Sequence, residues 1–328
     1  MHRLRGVTIR LEPSDCPACG AAPASTIADR DGIRREIELL WTFHLRRLRD
    51  GVPVRHLADR VVFSQEPPLG VVRCDGCGTL YRNPRETPRS VDERYREETD
   101  APDVLEALMR TQRGSERGRV RRLTRHVGGI GRGLEVGCYA GAFLAEATAA
   151  GWWFEGIDVN DDVVAHIRRH GLRARRGRVT DEAPGRRLDA VTFWTCLDQI
   201  ADPRAAIRAA ARLLRPGGVL AVRVPNGGFY RWLRRRLEGR LQGPARRLLA
   251  WNNLLGFPYL QAFTPASLRR LLADAALERA TVHGDVLVPL SDRWTRAWAA
   301  AEERAIKAAL RPLPAAASPW LEAYARAP

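Results

Sequence analysis

Short apolar runs alternate with helix-compatible segments through the middle of the chain. Buried strands are predicted where such a run meets glycine, aspartate or proline, at Leu134–Cys138, Phe154–Val159, Leu188–Cys196 and Val219–Val224. Helices are predicted between them, at Ala142–Ala150, Val163–His170 and Pro203–Leu214. Strand–helix alternation of this kind is typical of a doubly wound parallel sheet, so the pattern predicts an α/β fold.

The segments on either side of this core have other patterns. Ile33–Leu48 carries apolar residues at helical spacing, which predicts an amphipathic helix with His44 packed on its apolar stripe. Ser90–Val127 is polar, charged and compatible with helix, and a break is expected near Gly114–Gly118. Pro312–Pro319 is rich in proline and alanine, and we interpret it as a linker.

Composition indicates a folded protein with a strongly basic surface. Of the 328 residues, 45% are hydrophobic and 28% are charged, and 54 basic against 38 acidic residues give a net charge of +16. The arginines are spread along the chain, which favours a solvated surface over nucleic-acid binding. An arginine cluster at 231–247 is the exception, because leucines are interleaved with it. It could lie on a membrane surface, hold an acidic substrate or simply pack through its leucines.

Hydropathy also bears on localisation. The sequence contains no run of about 18 apolar residues, so it predicts no membrane span. Met1–Arg10 lacks the apolar region of a secretory signal, and we therefore expect a cytoplasmic protein. The sequence leaves the oligomeric state open.

Four of the six cysteines form two C-x-x-C pairs, each followed by glycine. The two groups are Cys16, Cys19 and Gly20, and Cys74, Cys77 and Gly78. Two thiolates separated by two residues can hold tetrahedral Zn²⁺ from a tight turn, and two such pairs complete a structural site. Disulfides are the weaker explanation in a cytoplasmic protein, and two copies with trailing glycines disfavour a redox motif. The sequence therefore predicts a structural Zn²⁺ held by the four cysteines.

A glycine-containing loop, EVGCYAG at 135–141, joins the first core strand to a helix. Gly137 permits a turn against a ligand, and Gly141 lets the helix start close to the sheet. Tyr139 stands where a dinucleotide-binding loop needs glycine, whereas an adenosyl ligand without phosphate admits the larger side chain. Asp158, at the end of the next strand, is placed to accept ribose hydroxyls. Together these features predict a site for an adenosyl cofactor.

Four stretches resemble class I S-adenosylmethionine-dependent methyltransferases, which have a seven-stranded Rossmann-like sheet. They are LEVGCYAGAFL (134–144), GIDVN (156–160), DAVTFWTCLDQIADP (189–203) and RLLRPGGVLAVRVPN (212–226). The cysteine pairs resemble the small zinc-ribbon-like N-terminal module of a bacterial subgroup. The resemblance implies a zinc-binding module with a helical insertion at 1–88, a helical linker or lid at 89–128 and a methyltransferase domain at 129–328. Within the domain we expect a lid insertion at 227–261, and a C-terminal helix and final strand at 292–328.

The resemblance also assigns roles at the cofactor site. S-adenosylmethionine would be bound by loop and strand-end residues: Glu135, Gly137, Tyr139, Gly141, Asp158, Val159, Cys196, Leu197 and Gln199. Asp158 would hold the ribose, and Val159 would pack on adenine. Many relatives have Glu-His where this chain has Asp198-Gln199, so Asp198 is the first candidate for a general base, with a helix N-cap as the alternative. Tyr230 is a further candidate.

Three functions compete on this evidence. A small-molecule methyltransferase is favoured, with a sugar, a sugar nucleotide or a secondary-metabolite intermediate as acceptor. The arginine cluster, placed over the predicted cofactor crevice, would suit an anionic acceptor. A nucleic-acid methyltransferase acting on RNA would account for the net charge. A non-catalytic zinc-ribbon binding protein is the third interpretation, and the intact glycine loop and Asp158 argue against it.

Overall fold

The computed structural model describes residues 9–22, 25–52, 67–97 and 102–328. The strands are β1 (Leu11–Glu12), β2 (Ser25–Ala28), β3 (Val71–Arg73), β4 (Leu80–Arg82), β5 (Arg85–Glu86), β6 (Arg132–Val136), β7 (Trp153–Asp158), β8 (Ala174–Arg176), β9 (Leu188–Trp194), β10 (Leu214–Pro225), β11 (Gln261–Ala262), β12 (Glu278–Asp285) and β13 (Trp320–Arg326). The helices are α1 (Arg30–Leu45), α2 (Pro88–Glu97), α3 (Pro102–Val127), α4 (Ala142–Ala149), α5 (Asp161–Arg169), α6 (Pro203–Leu213), α7 (Gly227–Arg234), α8 (Gln242–Ala250), α9 (Pro265–Ala273) and α10 (Ala297–Leu310). The expectation of a cytoplasmic protein was based on Met1–Arg10. Residues 1–8 of this stretch lie outside the described residues.

Seven strands form the central sheet in the order β12-β13-β10-β9-β6-β7-β8. The strands from β10 to β8 are parallel, whereas β13 runs antiparallel to both of its neighbours. The strand order reverses between β6 and β9, which places the carboxyl ends of these two strands beside one crevice. The Rossmann-like seven-stranded sheet predicted from the sequence is confirmed.

Alternating side chains of the central strands fill two buried layers. In β10, Leu220 and Val222 pack on one face with α6 and α9, whereas Val219 and Ala221 face α3, α4 and α5. Because both faces of the sheet are covered, the strands are apolar almost throughout, and this explains why their sequences stand out as continuous apolar runs.

A second sheet joins the N-terminal module to the domain. Its order is β11-β4-β3-β2, and every pairing in it is antiparallel. The edge strand β11 comes from the domain and pairs Gln261 with Tyr81 and Ala262 with Leu80 of the module. The module and the domain therefore share backbone hydrogen bonds.

Helix α1, from the insertion between the two cysteine pairs, packs against the segment 227–261. Leu40 of α1 is buried in one cluster with Leu233 of α7 and Leu249 of α8. The His44 ring meets the Trp251 ring edge-on, with the centroids 5.5 Å apart. Burial lowers the pKa of His44 to about 3, so this ring is a neutral packed residue, as predicted.

Helix α3 departs from the sequence-based expectation. It runs unbroken for 26 residues, so the break predicted near Gly114–Gly118 is wrong. A glycine inside a helix costs about 1 kcal/mol, which tertiary contacts can offset. Here Glu116 and Arg119 form a buried ion pair on α3, and Val120 and Leu123 are buried against the sheet. Neither α3 nor any other described helix has both the length and the apolar character needed to cross a membrane.

Candidate cofactor and acceptor site

A cavity of about 380 Å³ lies at the carboxyl ends of the central strands. Most of the residues predicted for cofactor binding line it: Glu135, Gly137, Tyr139, Gly141, Asp158, Val159, Cys196 and Gln199. Leu197, Asp198 and Tyr230 are not among its lining residues. Its volume falls in the range of ~300–1,000 Å³ that is typical of small-molecule sites.

The loop after β6 approaches the end of β9 closely. Gly137 has a φ of 67°, and a Cβ at this position would lie 2.7 Å from the Cβ of Cys196. The Cys196 thiol donates to the carbonyl of Val136, with 2.9 Å between sulfur and oxygen. Tyr139 and Thr195, which also line the cavity, have positive φ angles of 40° and 61°. Strained backbone of this kind clusters at binding sites, where the surrounding structure holds it in place.

The Asp158 carboxylate lies at the end of β7, facing this loop. Its Oδ2 accepts the backbone N–H of Tyr139 at 3.2 Å, and its Oδ1 accepts the N–H of Asn160 at 3.1 Å. Burial raises the pKa of Asp158, while these backbone N–H groups favour the charged form. Each carboxylate oxygen can accept a further hydrogen bond, so both retain capacity for the hydroxyl donors of a ribose.

Glu135 brings a second carboxyl group to the cavity. It is only 3% exposed, and its Oε2 has no hydrogen-bond partner among the described residues. Burial raises the pKa of Glu135 well above its ordinary value, and the negative charges of Glu116 and Asp158 add to this effect. An unpartnered buried carboxyl group is unfavourable, so an ammonium group that enters the cavity would be stabilised there.

Helices α2 and α3 cover the cavity. Leu108, Thr111 and Gln112 of α3 line it, and so does Tyr95 of α2. The Tyr95 hydroxyl donates to the side-chain carbonyl of Gln199, which ties α2 to the loop after β9. The sequence predicted only a linker or lid here, because both helices are polar along most of their length and carry no motif that marks the residues facing the cavity.

An aromatic and apolar wall lines another part of the cavity. Tyr259 and Trp320 meet edge-on with their ring centroids 5.5 Å apart, and residues 287–289 extend the wall. The Arg223 guanidinium lies 4.3 Å from the Trp320 ring centroid and pairs with Asp285 at 2.6 Å. Tyr259 belongs to the lid segment 227–261 that was predicted from the sequence. Asp285 and Trp320 belong to no predicted motif, and the sequence did not assign them to a site.

Three of the predicted site residues lie outside the cavity lining. Tyr230 is fully buried, and its hydroxyl donates to Glu36, with 2.9 Å between Oη and Oε2. Leu197 is fully buried, and its carbonyl accepts the side-chain amide of Gln261 at 2.8 Å. Asp198 is fully buried as well, and neither of its carboxylate oxygens has a hydrogen-bond partner among the described residues. The structure thus does not bring Tyr230 to the cofactor loop, and Asp198 is not an N-cap.

Replacing Asp198 by Asn is expected to stabilise the protein above pH 7. Burial raises the pKa of Asp198 to about 7, whereas an unfolded chain has about 3.9. The folded form therefore holds the proton more tightly, and this contribution to stability, present below pH ~4, is lost as the pH rises through ~7. The amide stays neutral, so we expect a gain of about 1–3 kcal/mol at pH 8 and little change at pH 4.

Urea unfolding at the two pH values measures this gain. Equal stability of Asp198→Asn and wild type at pH 8 would contradict the buried, unpartnered carboxylate. A loss of kcat of about 10²-fold or more, with the stability gain absent, would instead support the general-base role.

The arginine cluster at 231–247 does not reach the cavity, since none of its arginines is among the lining residues. Arg234 pairs with Glu36 at 2.7 Å, and Arg235 is exposed. Asn253 and Tyr259, from the end of the predicted lid segment, do line the cavity. This segment therefore contributes through its last residues rather than through its arginines.

The four cysteines of the N-terminal module converge. Their Sγ atoms all lie within 4.8 Å of one another, and two of the separations, Cys16–Cys77 and Cys19–Cys74, are 3.5 Å. A tetrahedral site with Zn–S bonds of about 2.3 Å requires sulfur separations of about 3.8 Å. The donor set and its size therefore fit one Zn²⁺.

Both cysteine turns have the same backbone hydrogen bonds. In each turn the first cysteine donates its N–H to the carbonyl five residues further on, at 2.8 Å for Cys16 and 2.9 Å for Cys74. The glycine after the second cysteine donates back to the carbonyl of the first at 2.8 Å. Gly20 and Gly78 have φ angles of 76° and 80°, which other residues adopt only with strain. This explains the trailing glycines.

The parallel sheet, with the glycine loop at Gly137 and the carboxylate of Asp158 at its carboxyl edge, is the arrangement of Rossmann-like α/β domains. Among these, the chain falls in the class of S-adenosylmethionine-dependent methyltransferases. The chain belongs to the methyltransferase domain family, whose sequence model matches residues 93–281. The family resemblance predicted from the sequence is thereby confirmed.

Several curated relatives are O-methyltransferases. The chain is similar to the ubiquinone biosynthesis O-methyltransferase of Idiomarina loihiensis, with 29% identity over 169 residues that cover 48% of this chain and 65% of the relative. It is also similar to the protein of the same name from Xanthomonas campestris pv. campestris, with 40% identity over 105 residues covering 29% of this chain and 43% of the relative. The chain thus spans less than two thirds of the length of these relatives. A solved structure of a S-adenosylmethionine-dependent methyltransferase from Archaeoglobus fulgidus has 15% identity and a TM-score of 0.47, covering 69% of this chain and 100% of that chain.

Proposed function

We propose that the protein transfers a methyl group from S-adenosylmethionine to a hydroxyl oxygen of a small, largely apolar acceptor. The observation that carries this proposal is one cavity that joins the glycine loop at Gly137 to the aromatic wall at Tyr259 and Trp320. Cofactor and acceptor can therefore meet in a single site. The curated relatives named O-methyltransferases support oxygen as the accepting atom.

Three features of the cavity fit S-adenosylmethionine. The Asp158 oxygens would accept hydrogen bonds from the ribose hydroxyls, and the unpartnered oxygen of Glu135 would accept one from the ammonium group. Val159 and residues 177–180 line the part of the cavity that would enclose adenine. When bound, the cofactor supplies an electrophilic methyl carbon on a sulfonium centre. The acceptor oxygen forms a bond to this carbon as the carbon–sulfur bond breaks, and positioning supplies most of the catalysis.

The chemistry of the cavity bears on how the acceptor loses its proton. Among the described residues that line the cavity none is histidine, and the carboxylates of Asp92 and Glu116 are already paired with arginines. Burial raises the pKa of Tyr259 well above its ordinary value, so its hydroxyl is a hydrogen-bond donor rather than a base. The site therefore suits an acceptor with an acidic hydroxyl, such as a phenol or an enol, which needs little help to ionise.

The same geometry disfavours the anionic acceptors considered from the sequence. The cavity-lining arginines, Arg119, Arg178 and Arg223, are each paired with a carboxylate. A phosphate group of a sugar nucleotide or of RNA would have to compete with these carboxylates for the guanidinium groups. An apolar phenol would instead pack on Tyr259 and Trp320 without displacing an ion pair.

The four-cysteine cluster completes the proposal as a structural Zn²⁺ site. Four thiolates leave no open coordination position, so the ion would stabilise the module rather than take part in methyl transfer. The size of the cluster and the matching turns at Gly20 and Gly78 support this assignment.

Methyl transfer can be tested with the purified full chain, S-adenosylmethionine and three separate acceptor panels: phenols and catechols, sugar nucleotides, and unmodified RNA. We expect release of S-adenosylhomocysteine with the phenolic panel, and mass spectrometry should place the methyl group on oxygen. Transfer only to sugar nucleotides or only to RNA would overturn the proposed acceptor class. No transfer and no cofactor binding by the folded protein would overturn the proposed activity itself.

Replacing Asp158 by Ala is expected to weaken S-adenosylmethionine binding by ~1.5–3 kcal/mol, about 10- to 150-fold in Kd, because hydrogen bonds to a charged group are lost. Titration calorimetry measures this directly. Asp161→Ala is the matched control, since Asp161 lies three residues further on and is exposed. If Asp158→Ala binds the cofactor as wild type does, the ribose must be held elsewhere.

A further inference from the structure

A second group of metal-binding side chains lies beside the cofactor loop and shares no residue with the cysteine cluster. Glu106 comes from α3, His166 from α5, and His170 directly follows the end of α5. One ligand atom from each residue lies within 4.8 Å of the other two. His170 Nε2 is 2.9 Å from Glu106 Oε2. His166 and His170 are four residues apart, so they occupy one face of the helical turn.

The buried member of this group has an unused nitrogen. His166 is only 2% exposed, and its Nε2 has no hydrogen-bond partner among the described residues. The His170 ring lies beside it, with the two ring centroids 4.9 Å apart. His166 is thus a buried ring with an unpartnered nitrogen, directly beside the two partly exposed members of the cluster.

We propose that Glu106, His166 and His170 bind a divalent transition-metal ion of the Zn²⁺ type and thereby fasten α3 to α5. Two imidazole nitrogens and one carboxylate oxygen form a donor set that Zn²⁺ and its neighbours Co²⁺ and Ni²⁺ accept, with water in the remaining position. His170 and Glu106 are partly exposed, so an ion can enter from solvent. The ion would give the buried His166 nitrogen the partner that it lacks.

The position of the cluster gives the ion a consequence for the cavity. Leu108, Thr111 and Gln112, within two turns of Glu106 on α3, line the cavity. Gly141 of the cofactor loop lines it too, and Ile167 of α5 packs so closely on Gly141 that a Cβ there would lie 3.0 Å from the Ile167 Cγ1. An ion bound to both helices would hold the roof of the cavity against the cofactor loop. Metal and S-adenosylmethionine should therefore strengthen each other's binding by the same factor. This consequence rests on the proposed cofactor, whereas metal binding itself does not.

Titration calorimetry of Zn²⁺ into the full chain, with the cysteine site already filled, tests the metal site. We expect wild type to bind one further equivalent, and Glu106→Gln and His170→Ala to bind it about tenfold more weakly or not at all. Both substitutions are at partly exposed positions, and a thermal melt confirms that the variants are folded. His283→Ala is the control for adventitious histidine binding, because His283 lies on β12 outside the cluster. The proposal would be overturned if wild type bound no further equivalent of Zn²⁺, or if both cluster variants bound it as tightly as wild type does.

The coupling is tested by measuring the S-adenosylmethionine Kd with and without the further Zn²⁺. We expect Zn²⁺ to lower this Kd in wild type and to leave it unchanged in Glu106→Gln. If Zn²⁺ binding depended on the cluster but left the S-adenosylmethionine Kd unaltered, the proposal that the ion fastens α3 would be wrong. Cluster-dependent Zn²⁺ binding in a chain that binds no S-adenosylmethionine would count against the proposed function and support the metal site.

Discussion

Replacing Cys74 by Ser is expected to abolish tight zinc binding and to disorder the N-terminal module. Three thiolates leave an open and weaker site, and structural Zn²⁺ contributes an apparent ~10–16 kcal/mol in zinc-finger peptides at pH 7. We expect the free energy of unfolding to fall by on the order of 5 kcal/mol or more. Elemental analysis after removal of weakly bound metal, together with thermal unfolding, measures both effects.

The loss of order should extend to the cavity, because the module is hydrogen-bonded to a loop that lines the cavity. Gln261, on the strand that pairs with the module, donates its side-chain amide to the carbonyls of Leu197 and Ile200 at 2.8 Å each. Arg85 of the module donates to the Ala201 carbonyl at 2.7 Å. The cofactor loop between β6 and α4 is instead held from β7, because Gly137 donates its N–H to the Ile157 carbonyl at 2.8 Å. We therefore expect the acceptor KM to rise more than the cofactor KM.

Asp75→Ser is the matched control for this experiment. Asp75 lies between Cys74 and Cys77 on the exposed side of the same turn and offers no thiolate. Its replacement should change the free energy of unfolding by no more than about 0.5 kcal/mol and leave the zinc content intact. Equal zinc content in Cys74→Ser and wild type would show that the four thiolates do not form the site.

The central sheet was predictable because parallel strands buried on both faces are apolar at nearly every position. Strand β9 illustrates this, since its predicted span differs from the observed one only by two residues at the end. Strand β10 shows the limit, because the sequence predicted it only over Val219–Val224, after the turn residues Pro216 and Gly217. The strand in fact begins at Leu214, and its pairing with β9 shifts register between Leu214 and Val219. Turn residues in a sequence do not reveal whether the chain before the turn already pairs with the same neighbouring strand as the chain after it.

The part of the cavity lined by the glycine loop was predictable for a similar reason. Gly137, Gly141 and Asp158 lie on one strand–loop–helix–strand unit, and local backbone requirements determine these residue types. Another part is formed by Tyr95, Tyr259 and Trp320, which only tertiary packing brings together. Tyr259 lay in the predicted lid segment 227–261, whereas Tyr95 and Trp320 are ordinary aromatics by sequence pattern, and no local rule distinguishes these two from the rest of the core.

Replacing Glu36 by Ala is expected to destabilise the protein by about 3–5 kcal/mol, because it leaves buried polar partners unpaired. Glu36 is only 3% exposed, and its carboxylate accepts the Tyr230 hydroxyl at 2.9 Å and the Arg234 Nε–H at 2.7 Å. It also accepts the backbone N–H of Gly256 at 3.1 Å. Together these bonds connect helix α1 of the insertion to three points along the segment 227–261.

The same substitution should weaken binding of the acceptor. Gly256 lies between Asn253 and Tyr259, which both line the cavity, so Glu36 acts as a positioning residue for this wall. We expect the acceptor KM to rise while the S-adenosylmethionine Kd stays within about twofold of wild type, since the hydrogen bonds of Glu36 go to the segment 227–261. Arg234→Ala should reproduce part of both effects through Glu36, whereas Arg235→Ala, at an exposed position, should produce neither.

Glu38→Ala provides the control for Glu36→Ala. Glu38 lies on the same helix two residues further on, is exposed, and loses the same side-chain atoms on substitution. Its effect on the free energy of unfolding should be no more than about 0.5 kcal/mol, measured by urea unfolding at neutral pH. Comparable stability of the two variants would mean that the buried carboxylate does not hold the segment. If Arg235→Ala raised the acceptor KM as much as Arg234→Ala does, the result would instead indicate that the arginines bind the substrate.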